Sequence, residues 1–103
     1  MMIKAVSKQP GKPPRSVHVS NELESLQKYV GGYIECVTVA HDTVMIVNEE
    51  GHLLGLPFNF SMDGTPIVGP ALFVGCDGEE FADIKIPFDV FKLIFSMEEN
   101  ENV

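Results

Sequence analysis

Over the first twenty residues the apolar positions fall in two short runs, "MIKAVS" (residues 2–7) and "RSVHVS" (residues 15–20). Between them lies "KQPGKPP", whose glycine and three prolines cannot continue a strand, because proline lacks the ladder donor. The pattern predicts two strands, antiparallel across an exposed loop, with Val17 and Val19 on one side and His18 on the other. "SNELESLQKYVGG" then changes period. Leu23, Leu26, Gln27 and Val30 follow the i, i+3, i+4, i+7 spacing of a helix face. Asn21 reads as its N-cap, Glu24 as the capping-box partner and Gly31 as the left-handed residue that ends it. Glu22 and Glu24 near the start and Lys28 near the end complement the helix dipole.

Period two returns in "YIECVTVA", with Tyr33, Glu35, Val37 and Val39 on one face and Ile34, Cys36 and Thr38 on the other. "VMIVN" follows after "HDT", so the two strands pair as a hairpin through Ala40 to Thr43. "VNEEGHLLGLPFN" is next. Asn48 to Gly51 fits a type I turn with a left-handed glycine, and His52 to Leu54 reads as the returning strand, ended by Gly55 and Pro57. "FSMDGTPI" reads as a turn region centred on Asp63-Gly64. "VGPALFVGCDG" holds a short apolar strand, Ala71 to Val74, and "EEFADIKI" an edge strand or short helix. "PFDVFKLIFSMEE" is helical, with Val90, Phe91, Ile94, Phe95 and Met97 as a broad apolar face. The sum is a small single α+β domain over residues 1–97, a mostly antiparallel sheet with one or two packed helices. Residues 98–103 form a polar acidic C-terminal tail.

Size and charge narrow the role. The chain has 103 residues, enough for one modest core, and 45% hydrophobic residues place it among folded globules. The formal net charge is −8. Such a surface repels nucleic-acid backbones and anionic membranes and favours basic partners, so direct DNA binding and membrane binding are disfavoured. No apolar run approaches the roughly 20 residues of a membrane helix, and the opening residues do not read as a signal peptide. These features place the protein in the cytoplasm, with Cys36 and Cys76 as free thiols. The apolar alternation around Cys36 reads as a buried structural thiol.

Candidate chemistry is sparse. A Cys–His pair from Cys36 or Cys76 with His18, His41 or His52 has no nucleophile motif around it. His18, Cys36, His41, Asp42, His52 and Cys76 are metal-ligand types whose spacing matches no metal motif, so a site would have to assemble from separate strands. The carboxylate pairs Glu49-Glu50, Glu79-Glu80 and Glu98-Glu99 read as solvated, and "CDGEE" lacks the oxygen spacing of a calcium loop. No cofactor and no enzymatic activity is expected. The one cationic feature is "KQPGKPPR", where Lys8, Lys12 and Arg15 around a glycine could hold an anion. Glu35 is out of place among apolar neighbours. With Tyr33, Asn48, Glu49, Glu50, Leu56, Phe58 and Asn59 it outlines a binding surface with an apolar centre and a polar rim.

The paired motifs "LESLQKYVGGYIECV" and "VNEEGHLLGLPFN", with "PGKPP" before them and "IVGPALFVG" after, resemble a family of small uncharacterised proteins. That family, a domain of unknown function, is encoded mainly by bacteriophages, prophages and conjugative elements. The resemblance covers roughly Ile3 to Gly75 and brings no catalytic residue with it. It implies an accessory protein of a phage or mobile element, working in the host cytoplasm and inhibiting a host defence protein such as a CRISPR effector or restriction nuclease. The partner would be a basic host protein. The alternative is a small-ligand binder that sequesters a nucleotide-type immune signal. An exposed edge strand also offers pairing with a second copy in a homodimer.

Overall fold

The computed structural model describes the backbone of residues 1–101 and the side chains of residues 1–96. In chain order the elements are β1 (Met2–Lys8), β2 (Arg15–Ser20), α1 (Leu23–Val30), β3 (Ile34–Ala40), β4 (Thr43–Asn48), β5 (Phe58–Met62), β6 (Thr65–Val68), β7 (Ala71–Asp77), β8 (Glu80–Ala82) and α2 (Phe88–Glu101). The main sheet is antiparallel, in the order β2-β1-β7-β4-β3, with β8 also paired to β7; β5 and β6 form a separate hairpin. The α+β class expected from the pattern is what forms. Among the described residues no helix is long and apolar enough to cross a membrane.

Central strands explain the layering. β4 and β7 read as near-continuous apolar runs because both of their faces are covered. Val44, Ile46, Leu72 and Val74 point to one face, where Leu26 and Val30 of α1 close over them with Ile3 and Ala5. Met45, Val47, Ala71 and Phe73 point to the other, under Phe91 and Phe95 of α2 and Phe60 and Ile67 of the β5–β6 hairpin. Phe73 is the hub of that second core: its ring lies 6.1 Å from Phe60, 5.0 Å from Phe91 and 6.2 Å from Phe95.

The β7 edge is divided between two partners. Ala71 to Phe73 pair with the end of β1, and Gly75 to Asp77 pair with β8. Beyond β8, the Asp83 carboxylate accepts the Lys4 N–H at 2.7 Å, and the Ile84 N–H donates to the Lys4 carbonyl at 2.9 Å. This wedge explains Gly75: a Cβ there would lie 2.0 Å from the Asp83 carbonyl oxygen.

Several expectations need correction. The helix N-cap is Glu22, in extended conformation and without a side-chain cap bond. Asn21 is turned instead toward β8, donating to the Phe81 carbonyl at 3.1 Å. Gly31 does end the helix in the left-handed conformation. No strand returns along β4 after Asn48. The chain leaves the sheet as a series of turns, and β4 is flanked by β3 and β7. The region around Asp63-Gly64 is more than a turn: it is the tip of the β5–β6 hairpin. Asp63 at φ 51° and Gly64 at φ 80° supply the two left-handed residues of a tight hairpin turn. "EEFADIKI" contributes a strand, not a helix. Cys36 is exposed, because β3 lies at the sheet margin beyond the cover of α1. On α2, Phe91 and Phe95 are buried while Val90 and Ile94 stay largely exposed; the Met97 side chain lies outside the described residues. The helix runs on through Glu101, across most of the expected 98–103 tail.

Candidate functional site

Residues 49–57 make an excursion between β4 and β5, and two asparagines, Asn48 just before it and Asn59 at the start of β5, hold its ends. Asn48 is buried at the end of β4. Its amide donates to the Val30 carbonyl at the end of α1 (3.1 Å), and its Oδ1 accepts the Glu50 N–H (2.7 Å). That second bond is an Asx turn, the reason asparagine suits a strand that must bend sharply. Asn59 is buried at the start of β5. Its amide donates to the carbonyls of Lys8 (2.7 Å) and Gly69 (2.9 Å), and its Oδ1 accepts from Lys8 Nζ (2.9 Å). Both residues were expected on the rim of a binding surface. The structure buries both and uses them as internal anchors that satisfy backbone groups, although Asn48 also reaches the lining of the groove described below.

Between the anchors the backbone is tied to itself. Leu54 N–H donates to the Glu50 carbonyl (2.9 Å), Gly55 to His52 (3.2 Å) and Leu56 to Gly51 (3.0 Å). Gly51 packs under the Val68 side chain, and Leu56 lies over Gly69. With the backbone bonds closed inward, the side chains at the tip point to solvent. Leu53 is 82% exposed, Leu54 57% and Phe58 55%; Tyr33, at the start of β3, is 65% exposed. Leu53 and Leu54 had read as a strand. The segment closes on itself instead, since the N–H groups of Leu54, Gly55 and Leu56 are taken by carbonyls of the same turns and not by a neighbouring strand.

The excursion stands between two concavities. On one side, Tyr33, Gly31, Gln27, Glu50 and Leu54 line a shallow hollow of about 240 Å³. On the other, a groove of about 510 Å³ runs between β3–β4 and the hairpin. Glu35, Val37, Glu49 and His52 line one wall, and Met62, Asp63, Pro66 and Ile67 line the other. Three carboxylates therefore face this groove, and among the described residues no lysine or arginine lines it. Tyr33, Glu35, Glu49, Glu50 and Phe58 are thus all exposed, with Leu56 half-buried beside them.

The cationic loop is divided. Lys12 and Arg15 are exposed, but Lys8 is only 6% exposed and belongs to the end of β1. Its ammonium donates to the Gln9 carbonyl (3.0 Å) and to Asn59, and lies 5.4 Å from the centre of the Phe95 ring. Lys8 is a buried cation, placed by strand alternation on the α2 face and apart from the exposed Lys12 and Arg15. His18, His41 and His52 are dispersed over β2, the β3–β4 turn and the excursion. Among the described residues no three His, Cys, Asp or Glu side chains come together to hold a metal ion. The Cys36 thiol is pushed above its ordinary range by desolvation, with smaller contributions from Cys76 and Glu35. A thiol kept protonated at neutral pH is a poor nucleophile.

With this geometry in place, comparison with known proteins adds one finding. Residues 3–89 match the family described as Domain of unknown function (DUF3846). The chain is a DUF3846 protein. The matched stretch spans the whole sheet, the hairpin and both anchors of the excursion, and it stops within the first turn of α2. The DUF3846 region therefore carries both concavities, whereas Phe91 and Phe95, which close the second core, come from outside the match. No curated protein and no solved structure gives a significant match to the chain.

Proposed function

We propose that this DUF3846 protein is a non-catalytic binding protein, and that the 49–57 excursion docks it on a basic protein. The observation that carries this reading is the exposure of Leu53 and Leu54 on a turn whose ends are held by buried asparagines, with Phe58 exposed at the adjoining start of β5. Large apolar side chains on a pre-ordered backbone lose little conformational freedom on docking. Glu49 and Glu50 beside them, with a chain charge of −8, supply an acidic rim that steers a basic partner.

The resemblance to proteins of phages and conjugative elements suggests the class of partner. A host defence nuclease, whose substrate channel is basic, has the complementary charge, and an acidic domain seated there would inhibit it. The sequestration of a nucleotide-type signal finds less support in the geometry, since Lys8 is committed to Asn59 and the Phe95 ring.

The test is affinity capture from host extract across a salt series, with wild type beside a Leu53→Asp/Leu54→Asp double variant. The double variant should unfold within about 0.5 kcal/mol of wild type, because neither side chain is packed. Wild type should retain a basic protein at low salt and release it as salt rises; the double variant should retain none. Undiminished capture by the double variant would overturn the assignment of the excursion.

A further inference from the structure

We infer that the groove beside the excursion receives an extended, basic segment of the partner, which adds to the sheet as a further strand along β3. The inference rests on the binding-protein reading above and names the conformation and charge of what is bound.

β3 is an open margin of the sheet. It pairs with β4 on one side, and among the described residues nothing pairs with the other. Proteins usually guard such a margin with lysine, proline, a bulge or an inward-pointing charge, and the one charge here, Glu35, repels an acidic strand while attracting a basic one. "IECVTVA" has neither lysine nor proline, and its register shift comes only at Thr38/Ala40, near the far end. Alternation identifies the free groups. The Tyr33 carbonyl accepts the Glu49 N–H at 2.9 Å, so Tyr33, Glu35 and Val37 direct their backbone groups toward β4. Ile34, Cys36 and Thr38 direct theirs outward. These three residues offer donors and acceptors to an incoming extended chain, the usual chemistry of β-strand addition.

The side chains select the occupant. On the groove face of β3 the partner strand meets Glu35 and Val37, with Glu49 and Asp63 close by. A strand alternating lysine or arginine with an aliphatic residue matches that lining. A second copy of this chain does not, because it would bring another Glu35 and another net charge of −8 to the same seam.

The experiment titrates the full chain with an eight-residue peptide alternating Lys and Val, and reads amide hydrogen exchange by NMR. Controls are a Glu/Val peptide and the Lys/Val peptide with a central proline. Binding should slow exchange at Ile34, Cys36 and Thr38, and neither control should do so. Glu35→Lys should weaken binding at least tenfold. Cys36→Pro, which removes an outward N–H and fixes the local φ while leaving the bonds to β4 in place, should abolish the protection at Ile34 and Thr38. Peptide binding without protection of these amides, unchanged affinity in Glu35→Lys, or no binding at millimolar peptide overturns the inference. So does a peptide-free dimer that already protects them. If peptide binding fails while salt-sensitive capture through Leu53 and Leu54 persists, the strand-addition inference falls and the binding-protein reading stands. If capture fails as well, both fall.

Discussion

One face of the sheet is sealed by a single eight-residue helix over aliphatic side chains; the other is shared between α2 and the β5–β6 hairpin over a cluster of phenylalanines. Leu26 and Val30 of that one helix pack against side chains of β1, β7 and β4. Two separate covers that meet over Phe73 leave gaps where they diverge. One is the groove along β3, and another of about 220 Å³ opens between Val39, Phe60, Phe91 and Ile94. The lesson is that space for a ligand follows from how a face is covered. Both faces have apolar centres, and under the composite cover a groove meets an open strand margin.

Neighbouring residues of β7 test this contrast most severely, since Phe73 and Leu72 point to opposite faces. Phe73→Ala should cost about 3–5 kcal/mol and Leu72→Ala about 2–5 kcal/mol in urea unfolding. Only Phe73→Ala should also shift the resonances of the hairpin and weaken peptide binding in the groove. If Leu72→Ala disturbs the groove equally, the two faces are not independent.

The anchors sharpen the contrast at smaller scale, because Asn48 ties the excursion to α1 and Asn59 ties it to β1 and the β6–β7 turn. Asn59→Ala removes three bonds, one from the Lys8 ammonium and two to the carbonyls of Lys8 and Gly69, and should cost about 2–3 kcal/mol. Asn48→Ala loses two bonds and should cost about 1–2 kcal/mol. Equilibrium unfolding of both variants would check the ranking, and the reverse order would mean that the α1 side carries the greater share of the excursion's order.

Tyr29 offers the mildest probe, from the α1 side. Its hydroxyl shares a hydrogen bond with Ser7 and donates to the Ala71 carbonyl at 3.2 Å. Burial raises its pKa above 10.0, partly offset by hydrogen bonds with Ser7 and Gln9. Above pH 10 the folded chain then holds this proton more tightly than the unfolded chain. The stability it contributes is complete below the unfolded pKa and is lost as pH rises through the folded one. Tyr29→Phe should cost about 1 kcal/mol at neutral pH. It should also flatten the fall in stability above pH 10; an unchanged alkaline slope would assign that slope to another group.

Local patterns proved legible where one element satisfies itself. β1 to β4, α1 and α2 follow from periodicity, and Gly31 and Asp63-Gly64 mark the turns the structure makes. The hairpin around Asp63-Gly64 was only half legible, because its strands are short and β6 carries Pro66. What periodicity hides is long-range pairing. Lys8 looked like a loop cation because its partner Asn59 is 51 positions away. Asn48 and Asn59 looked like rim residues because nothing local shows that they bond to Val30, Lys8 and Gly69. Cys36 looked buried because alternation reports a face and does not tell whether anything covers it. At the candidate site, Tyr33, Glu35, Glu49, Glu50 and Phe58 could be named from residue type, while Leu53 and Leu54 were absorbed into a strand that does not form.

The paired asparagines also bear on how such a protein changes over time. Both ends of residues 49–57 are held from inside the fold, and Leu53 and Leu54 belong to neither packed cluster. The sequence of the tip is thereby free to drift while the frame beneath is left alone. The same property makes residues 52–54 a natural position for grafting foreign recognition sequences.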